Sequence, residues 1–287
     1  MTTLNILVIN CATRDSEVVD EAISVFRWAA DAGPLGLEVR SVDLDATGRV
    51  PDSVCAAALH ADAVLLGSWE PVMARRFSAL RESLGVFATV QHQPKAAGQD
   101  VVVVRGTPGA TPMRLRRTVE QAFHIAERRE RTLAYAASPV PQREEIWAEV
   151  LADLTPRFPK VCVESHNPSK LFRRLEGHPA DLDVVVTDLA IDGEPPRRSG
   201  PLAWLGQGGA MYAPAAVNSD GVGAKLIAAM RSAAMLLEYS AARYGLAESI
   251  RQAVDDVLPG AKRAPAGQMG QAVLDTLEAR FEPCAGW

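Results

Sequence analysis

The sequence predicts an α/β fold, and two observations carry that prediction. Short apolar runs at residues 4–10 (LNILVIN), 63–67 (AVLLG) and 101–105 (VVVVR) have the character of strands buried on both faces. They alternate with stretches of helical period, which argues for an α/β architecture. The second observation is residues 223–245, where Leu226, Ile227, Met230, Ala233, Ala234, Leu237 and Ala241 recur at three- and four-residue steps. Met235 and Leu236 extend that apolar surface around most of the circumference, and a helix apolar nearly all round is a core helix.

Taken in order, the run at 4–10 is followed by a helix from about 17 to 32, with Val18, Ala22, Val25, Phe26 and Ala29 as its inward stripe and Asp15 or Ser16 as its cap. Gly33, Pro34 and Gly36 break it, and residues 37–44 read as a second strand. Asp52 opens a short helix before the strand at 63–67. After the strand at 101–105 comes an amphipathic helix over 114–131, with Leu115, Val119, Ala122, Phe123 and Ala126 inward and a Glu/Arg run at its end that reads as a solvated face. Strands at 133–137, 160–164 and 182–187 then alternate with helices at 143–154 and 169–176. Residues 194–200 (EPPRRSG) are an irregular segment. Asn218, Ser219 and Asp220 can cap the helix from 223, and Gly245 can take a left-handed position at its end.

Composition bounds the function. A chain of 287 residues suits one large or two medium domains, and 48% hydrophobic with 23% charged residues is ordinary for a soluble globular protein. A net charge of −5 offers no basic footprint for nucleic acid. No apolar run reaches the ~18 residues needed to cross a bilayer, so no membrane partner is expected. The start MTTLNILVIN has no signal-peptide pattern. Cys11, Cys55, Cys162 and Cys284 lie far apart without a CxxC, which fits a reduced, cytoplasmic protein. The five histidines have no zinc-ligand spacing.

Residues 232–263 (SAAMLLEYSAARYGLAESIRQAVDDVLPGAKR) resemble the C-terminal signature of the isocitrate and isopropylmalate dehydrogenases, the β-decarboxylating dehydrogenases. NILVIN, EVVDEAI and ADAVLLGS resemble that family's opening, and residues 79–94 (ALRESLGVFATVQHQP) resemble its LRxxLxLFANLRP. The resemblance implies a two-domain fold with a central mixed sheet flanked by helices. Its first domain would be residues 1–98 plus 203–287, and its second, the dimerisation domain, residues 99–202. It also implies a homodimer, or a heterodimer with an intact relative.

The family oxidises a 2-hydroxy acid and releases a β-carboxylate as carbon dioxide. Arginines grip carboxylates, a divalent cation stabilises the alkoxide and enolate, a Lys and a Tyr move protons, and a nicotinamide cofactor takes the hydride. By resemblance, Arg81 (the first Arg of LRxxL) and Arg105 (after VVVV) are substrate-binding, and in the family these two converge on one carboxylate. The middle arginine is missing, since N-L-R-P reads Val90-Gln91-His92-Gln93. Ser169 falls at the first metal aspartate. Asp188 and Asp192 share the four-residue spacing of the other two, but Asp188 sits at a strand end and Pro195 and Pro196 should stop the family's helix. Ala137-Ser138-Pro139-Val140 replaces the segment with the Lys, no Tyr follows Gly106, and Tyr135 reads as packing. Of the cofactor segments, Asp220 and Lys225 are the candidate contacts, with NAD or NADP implied and magnesium doubtful. Gly206, Gly208 and Gly209 could cradle a phosphate but follow no clear strand, and an ordinary loop is the commoner reading. Cys11, at the end of the first strand, could be a nucleophile or an idle thiol.

Three readings follow, in this order. One is a non-catalytic binding, regulatory or partner subunit with a residual site for a small carboxylate or other anion. Next is a divergent enzyme using Arg81, Arg105 and Cys11 on a small acid or a peptide carboxylate. Last is an NAD-dependent oxidative decarboxylase with a rebuilt site.

Overall fold

The computed structural model describes residues 2–10, 16–33, 35–44, 49–67, 69, 71–94, 100–107, 109–177, 181–189, 200–215, 222–261 and 266–280. The chain forms two compact units. Residues 1–85, 195–203 and 207–287 make the first, and residues 86–194 with 204–206 make the second.

In the first unit, β1 (Thr2–Asn10) pairs in parallel with β2 (Leu35–Asp43) on one side and with β3 (Ala63–Leu66) on the other. β3 in turn pairs in parallel with β10 (Ala210–Ala215). The central strands are apolar because both faces are covered: Ile6, Leu7, Val8 and Ile9 are all buried, and so are all four residues of β3. α1 (Ser16–Ala32) and α7 (Val222–Tyr239) pack on each other, and α7 also packs on β10. α2 (Asp52–Leu59) packs on α3 (Ser78–Ser83), while α8 (Tyr244–Ala261) lies between α7 and α9 (Ala266–Arg280). Met230, Ala233, Ala234, Leu236 and Leu237 are fully buried along α7, so it is the core helix that its periodicity predicts. Its alanines let neighbours approach, and its buried Ser232 satisfies its hydroxyl locally on Ala228 O at 2.8 Å.

That helix is shorter than expected. It stops at Tyr239, and Gly245 is the second residue of α8 rather than a cap. Ala242 takes the left-handed position instead, at φ 52°, and Arg243 N–H closes the end by donating to Leu237 O at 2.8 Å. The apolar period runs on through Ala241, so periodicity alone does not mark the break.

The second unit orders its strands β4 (Val86–Pro94), β5 (Asp100–Gly106), β8 (Val184–Thr187), β6 (Thr132–Ala136) and β7 (Cys162–Ser165). β4 and β5 are antiparallel and the remaining pairs are parallel, so the sheet is mixed. β9 (Gly200–Gly206) is divided between the two units. The pleat gives this sheet two distinct faces. On one, Val101, Val103, Val185, Ala134 and Ala136 form a cluster with Leu182 and with Leu171 of α6 (Pro168–Gly177). The other is covered by α4 (Pro112–Glu127), which packs on β4, β5, β6 and β8 and carries α5 (Pro141–Leu154). Thr111 caps α4, its hydroxyl accepting from Arg114 N–H, and Pro112 stands at the first turn, where its missing N–H costs nothing.

The Glu/Arg run after α4 is more than a solvated face. Arg129 lies in a network at the N-terminal ends of β5 and β8. Its Nε donates to Asp183 Oδ1 at 2.6 Å and its Nη2 to Asp100 Oδ1 at 2.6 Å and Asp100 O at 2.9 Å. Glu130 N–H donates to Asp183 Oδ2 at 2.9 Å, and His92 Nδ1 lies 2.6 Å from Asp100 Oδ2. Burial alone would raise the Asp100 pKa, but His92 and Arg129 reverse that and hold the carboxyl well below its usual range. Sequence spacing does not reveal this, because the partners are 29 and 54 residues from Arg129.

Candidate functional site

The C-terminal ends of β5, β8 and β6 are where an α/β layer leaves backbone and side chains open to a ligand. The register decides what each residue there can reach. Arg105 pairs with Thr187 and Thr89, and Thr187 with Ala136. Arg105 therefore shares the face of Val101, Val103, Val185 and Ala136, the α6 face. Asp188 is one residue past Thr187 and points to the other face: a side chain at Gly106 would meet Asp188 Cβ at 3.7 Å and Thr118 of α4 at 3.5 Å. The acid beside Arg105 in the strand ends thus lies across the sheet from it.

Asp188 is already engaged. Its side chain is 1% exposed, its Oδ1 accepts from Ser138 N–H at 3.2 Å, and its Oδ2 accepts from Arg143 Nε. Arg143, in the first turn of α5, also donates Nη1 to Ala110 O at 2.6 Å. The pair ties the end of β8 to the loop after β5 and to the start of α5. Both carboxylate oxygens thus accept from protein donors. Among the described residues, no group of three or more His, Cys, Asp or Glu is placed to hold a metal ion. Asp192 lies outside the described residues. Tyr135, on the α4–α5 face, stacks on Trp147 with centroids 5.5 Å apart and rings 16° from parallel, a packing role.

Arg105 contrasts with Asp188. It is half-buried, and among the described residues no ion pair or hydrogen bond reaches its guanidinium. Burial lowers its pKa, and among the described residues no carboxylate offsets that shift. Thr187, opposite it, spends its hydroxyl on Ala136 O at 2.8 Å and accepts from Leu189 N–H at 3.2 Å. An arginine in this state is a donor fork waiting for an anion. On the same face, diagonal to Arg105 across the β4–β5 pairing, stands Gln91, 3% exposed with a buried Oε1 that finds no hydrogen-bond partner among the described residues. His92, its neighbour, faces the opposite side, toward Asp100. In the sequence this stretch shows as a missing arginine, and the alternation of strand β4 is what separates Gln91 from His92.

Arg81 belongs to the first unit, on α3. Its Nη2 donates to Ala74 O at 2.7 Å, its Nε is buried without a partner among the described residues, and burial lowers its pKa, with Glu82 partly opposing the shift. Lys225 is half-buried in the first turns of α7, and among the described residues it forms no ion pair. Asp220 and Cys11 lie outside the described residues. Gly206, Gly208 and Gly209 do follow a strand, β9, but they form the turn into β10 rather than the start of a helix. Gly208 N–H and Gln207 N–H are spent on Leu84 O (3.0 Å) and Gly85 O (3.3 Å), so this is no phosphate cradle. Gly209 is needed for its φ of 135°, and a Cβ on Gly208 would press on Leu59 at 3.0 Å.

No protein-family model matches the chain. It is 28% identical over 313 residues to the 3-isopropylmalate dehydrogenase of Anaeromyxobacter dehalogenans, covering 84% of this chain and 88% of that protein. It is 27% identical over 330 residues to that of Hahella chejuensis, covering 90% and 91%. Both alignments are longer than the 287 residues of this chain, so it lacks segments that those relatives have. Among solved structures, it is similar to a β-decarboxylating dehydrogenase from Thermococcus kodakarensis in its apo form, with a TM-score of 0.74, 19% identity and 99% of each chain covered. It is also similar to the isocitrate dehydrogenase of Methylococcus capsulatus, with a TM-score of 0.70, 16% identity and coverage of 96% of this chain and 99% of that one.

Proposed function

We propose that this chain is a divergent, shortened relative of the isocitrate and isopropylmalate dehydrogenases, to which it is 27–28% identical, and that it binds a small carboxylate through Arg105 as a non-catalytic or partner subunit. The observation that carries the reading is the state of Arg105, a half-buried cation with no carboxylate partner among the described residues. Its planar fork can grip a carboxylate bidentately. Hydrogen bonds of that charge-assisted kind contribute about 1.5–3 kcal/mol each, which by itself implies affinity in the millimolar range.

The engagement of Asp188 by Arg143 supports the non-catalytic half of the reading. So does the sequence at the family's Lys position, where Ser138 lends its backbone N–H to Asp188. If a nicotinamide cofactor binds, Lys225, in the first turns of α7, is the described candidate to meet its anionic part. Arg105 would hold and orient the acid. The assembly consistent with this role is a homodimer, or a heterodimer with an intact relative, in the cytoplasm.

Titration calorimetry with malate, citrate and sulfate on the wild type and Arg105→Ala tests the binding claim: at least one anion should bind to the first and lose affinity on the second. NADH formation from isopropylmalate or isocitrate with magnesium should be undetectable. Steady turnover abolished by Arg105→Ala would select the oxidative decarboxylase instead.

A further inference from the structure

The helical layer on the second unit's sheet has an outer side that the Arg105 reading does not use. α4 buries Leu115, Val119, Ala122, Phe123 and Ala126, so Met113, Arg117 and His124, at steps of four and seven residues, stand on the opposite side. α5 buries Trp147, Val150 and Leu154, and Glu145, Ala148, Glu149 and Ala152 are exposed on its far side. Where the two helices meet, charges are spent on each other: Arg116 donates to Asp153, and Arg157, just after α5, lies 3.2 Å from Asp153 and 4.0 Å from Glu120. Arg117, Glu145 and Glu149 form no ion pair among the described residues. The outer side is therefore basic along the first half of α4 and acidic along α5. Of the large apolar side chains left exposed, the two in the second unit, Met113 at 64% and Val140 at 48%, stand at the starts of these same helices. The hydrogen bond from Arg143 to Ala110 O ties those two starts together.

We infer that this face binds a second copy of the chain about a two-fold axis running between α4 and α5, along the helices. Rotation about that axis lays α4 of one copy over α5 of the other, so the basic row meets the acidic row at both symmetric contacts. An axis across the helices would set α4 on α4, with like charges together, which is disfavoured. Charge complementarity thus selects both the occupant and its orientation, because the face is complementary to itself. Since Arg116 reaches Asp153 within one copy, Arg117 lies level with the middle of α5, where Glu149 stands one turn before Asp153. Met113 and Val140 add apolar contact at one end of the face. The inference is independent of Arg105 and gives a surface to the homodimer proposed above.

Sedimentation equilibrium of the full chain at micromolar concentrations tests this with two variants of opposite charge: Arg117→Glu, and Glu145→Lys combined with Glu149→Lys. The wild type should be a dimer, and each variant alone should have a dissociation constant about tenfold higher or more, because like charges then meet. An equimolar mixture of the two variants should recover the wild-type affinity. In the mixed dimer an acidic α4 meets a basic α5 at one contact, and the native rows meet at the other. If both variants dimerise as tightly as the wild type, the copies meet through another face, which overturns the inference and leaves the homodimer standing. Weakened variants that do not recover on mixing overturn the placing of α4 on α5. A monomeric wild type ends both the inference and the homodimer reading. Should a charge variant not fold, Met113→Ser with Val140→Ser keeps the charges and should raise the dissociation constant about tenfold, and an unchanged constant overturns the inference.

Discussion

Replacing Arg143 by alanine should cost about 3–5 kcal/mol of stability in the second unit, the range found when one partner of a buried ion pair is removed. The size follows from what is left behind. Asp188 has a side chain 1% exposed, and without Arg143 the one donor left to it among the described residues is Ser138 N–H at 3.2 Å. An uncompensated carboxylate would then sit among buried residues, and Ala110 O would lose the donor now 2.6 Å away. Removing both charges should be far milder: in Arg143→Met with Asp188→Leu the desolvation of two ions disappears together with their attraction, so the double variant should lie within about 1–2 kcal/mol of wild type. Urea unfolding followed by tryptophan emission reads both, since Trp147 stacks on Tyr135 in the same layer. If Arg143→Ala costs less than about 1 kcal/mol, the carboxylate is not held as described. If millimolar magnesium restores the lost stability, Asp188 is a metal ligand and the structural assignment is wrong.

Other perturbations probe the rest of the fold. Asp100 has its folded pKa depressed, so its contribution is present above the unfolded value of about 3.9 and is lost as pH falls below it. Asp100→Asn should therefore flatten the stability curve below about pH 5 without adding slope between pH 6 and 8, as read by denaturant unfolding across pH; a wild-type loss centred on neutral pH would refute the assignment. Ala242→Gly should stabilise by about 0.5–1 kcal/mol, because glycine relieves the left-handed conformation at φ 52° that alanine disfavours, and a lower melting temperature would contradict that geometry. Leu236→Ala, fully buried in α7, should cost about 2–5 kcal/mol, and a surface-like change below 1 would place that helix outside the core.

Much of this architecture is readable in the chain because the physics is local. The runs at 4–10, 63–67 and 101–105 are strands, and the stripe of α1 and the nearly all-apolar α7 are helices, since burial on both faces or one stripe leaves a period in the sequence. β4, β9, β10 and α9 went unread as elements. β4 mixes Thr89, Gln91 and His92 with apolar residues because its partners in the sheet and on its two faces differ. The ends of α7 and α4 were misplaced for a related reason: Ala242 and Arg131 turn through positive φ without a glycine to announce it. At the site, Arg105 and Asp188 are legible as residues, but their roles are not. Which face each occupies is set by the register of β5 against β8, and the capture of Asp188 by Arg143 joins positions 45 residues apart.

The most direct test of the account is the guanidinium of Arg105 itself. In protein labelled with nitrogen-15 arginine, its Nε–Hε resonance, assigned by its absence from Arg105→Lys, should shift saturably as at least one of malate, citrate and sulfate is added through the millimolar range. The Nε–Hε resonances of Arg129 and Arg143, already spent on Asp183 and Asp188, should stay in place. An Arg105 resonance that does not move at any concentration, or that moves no more than theirs, would contradict the claim that this half-buried cation is the protein's carboxylate site.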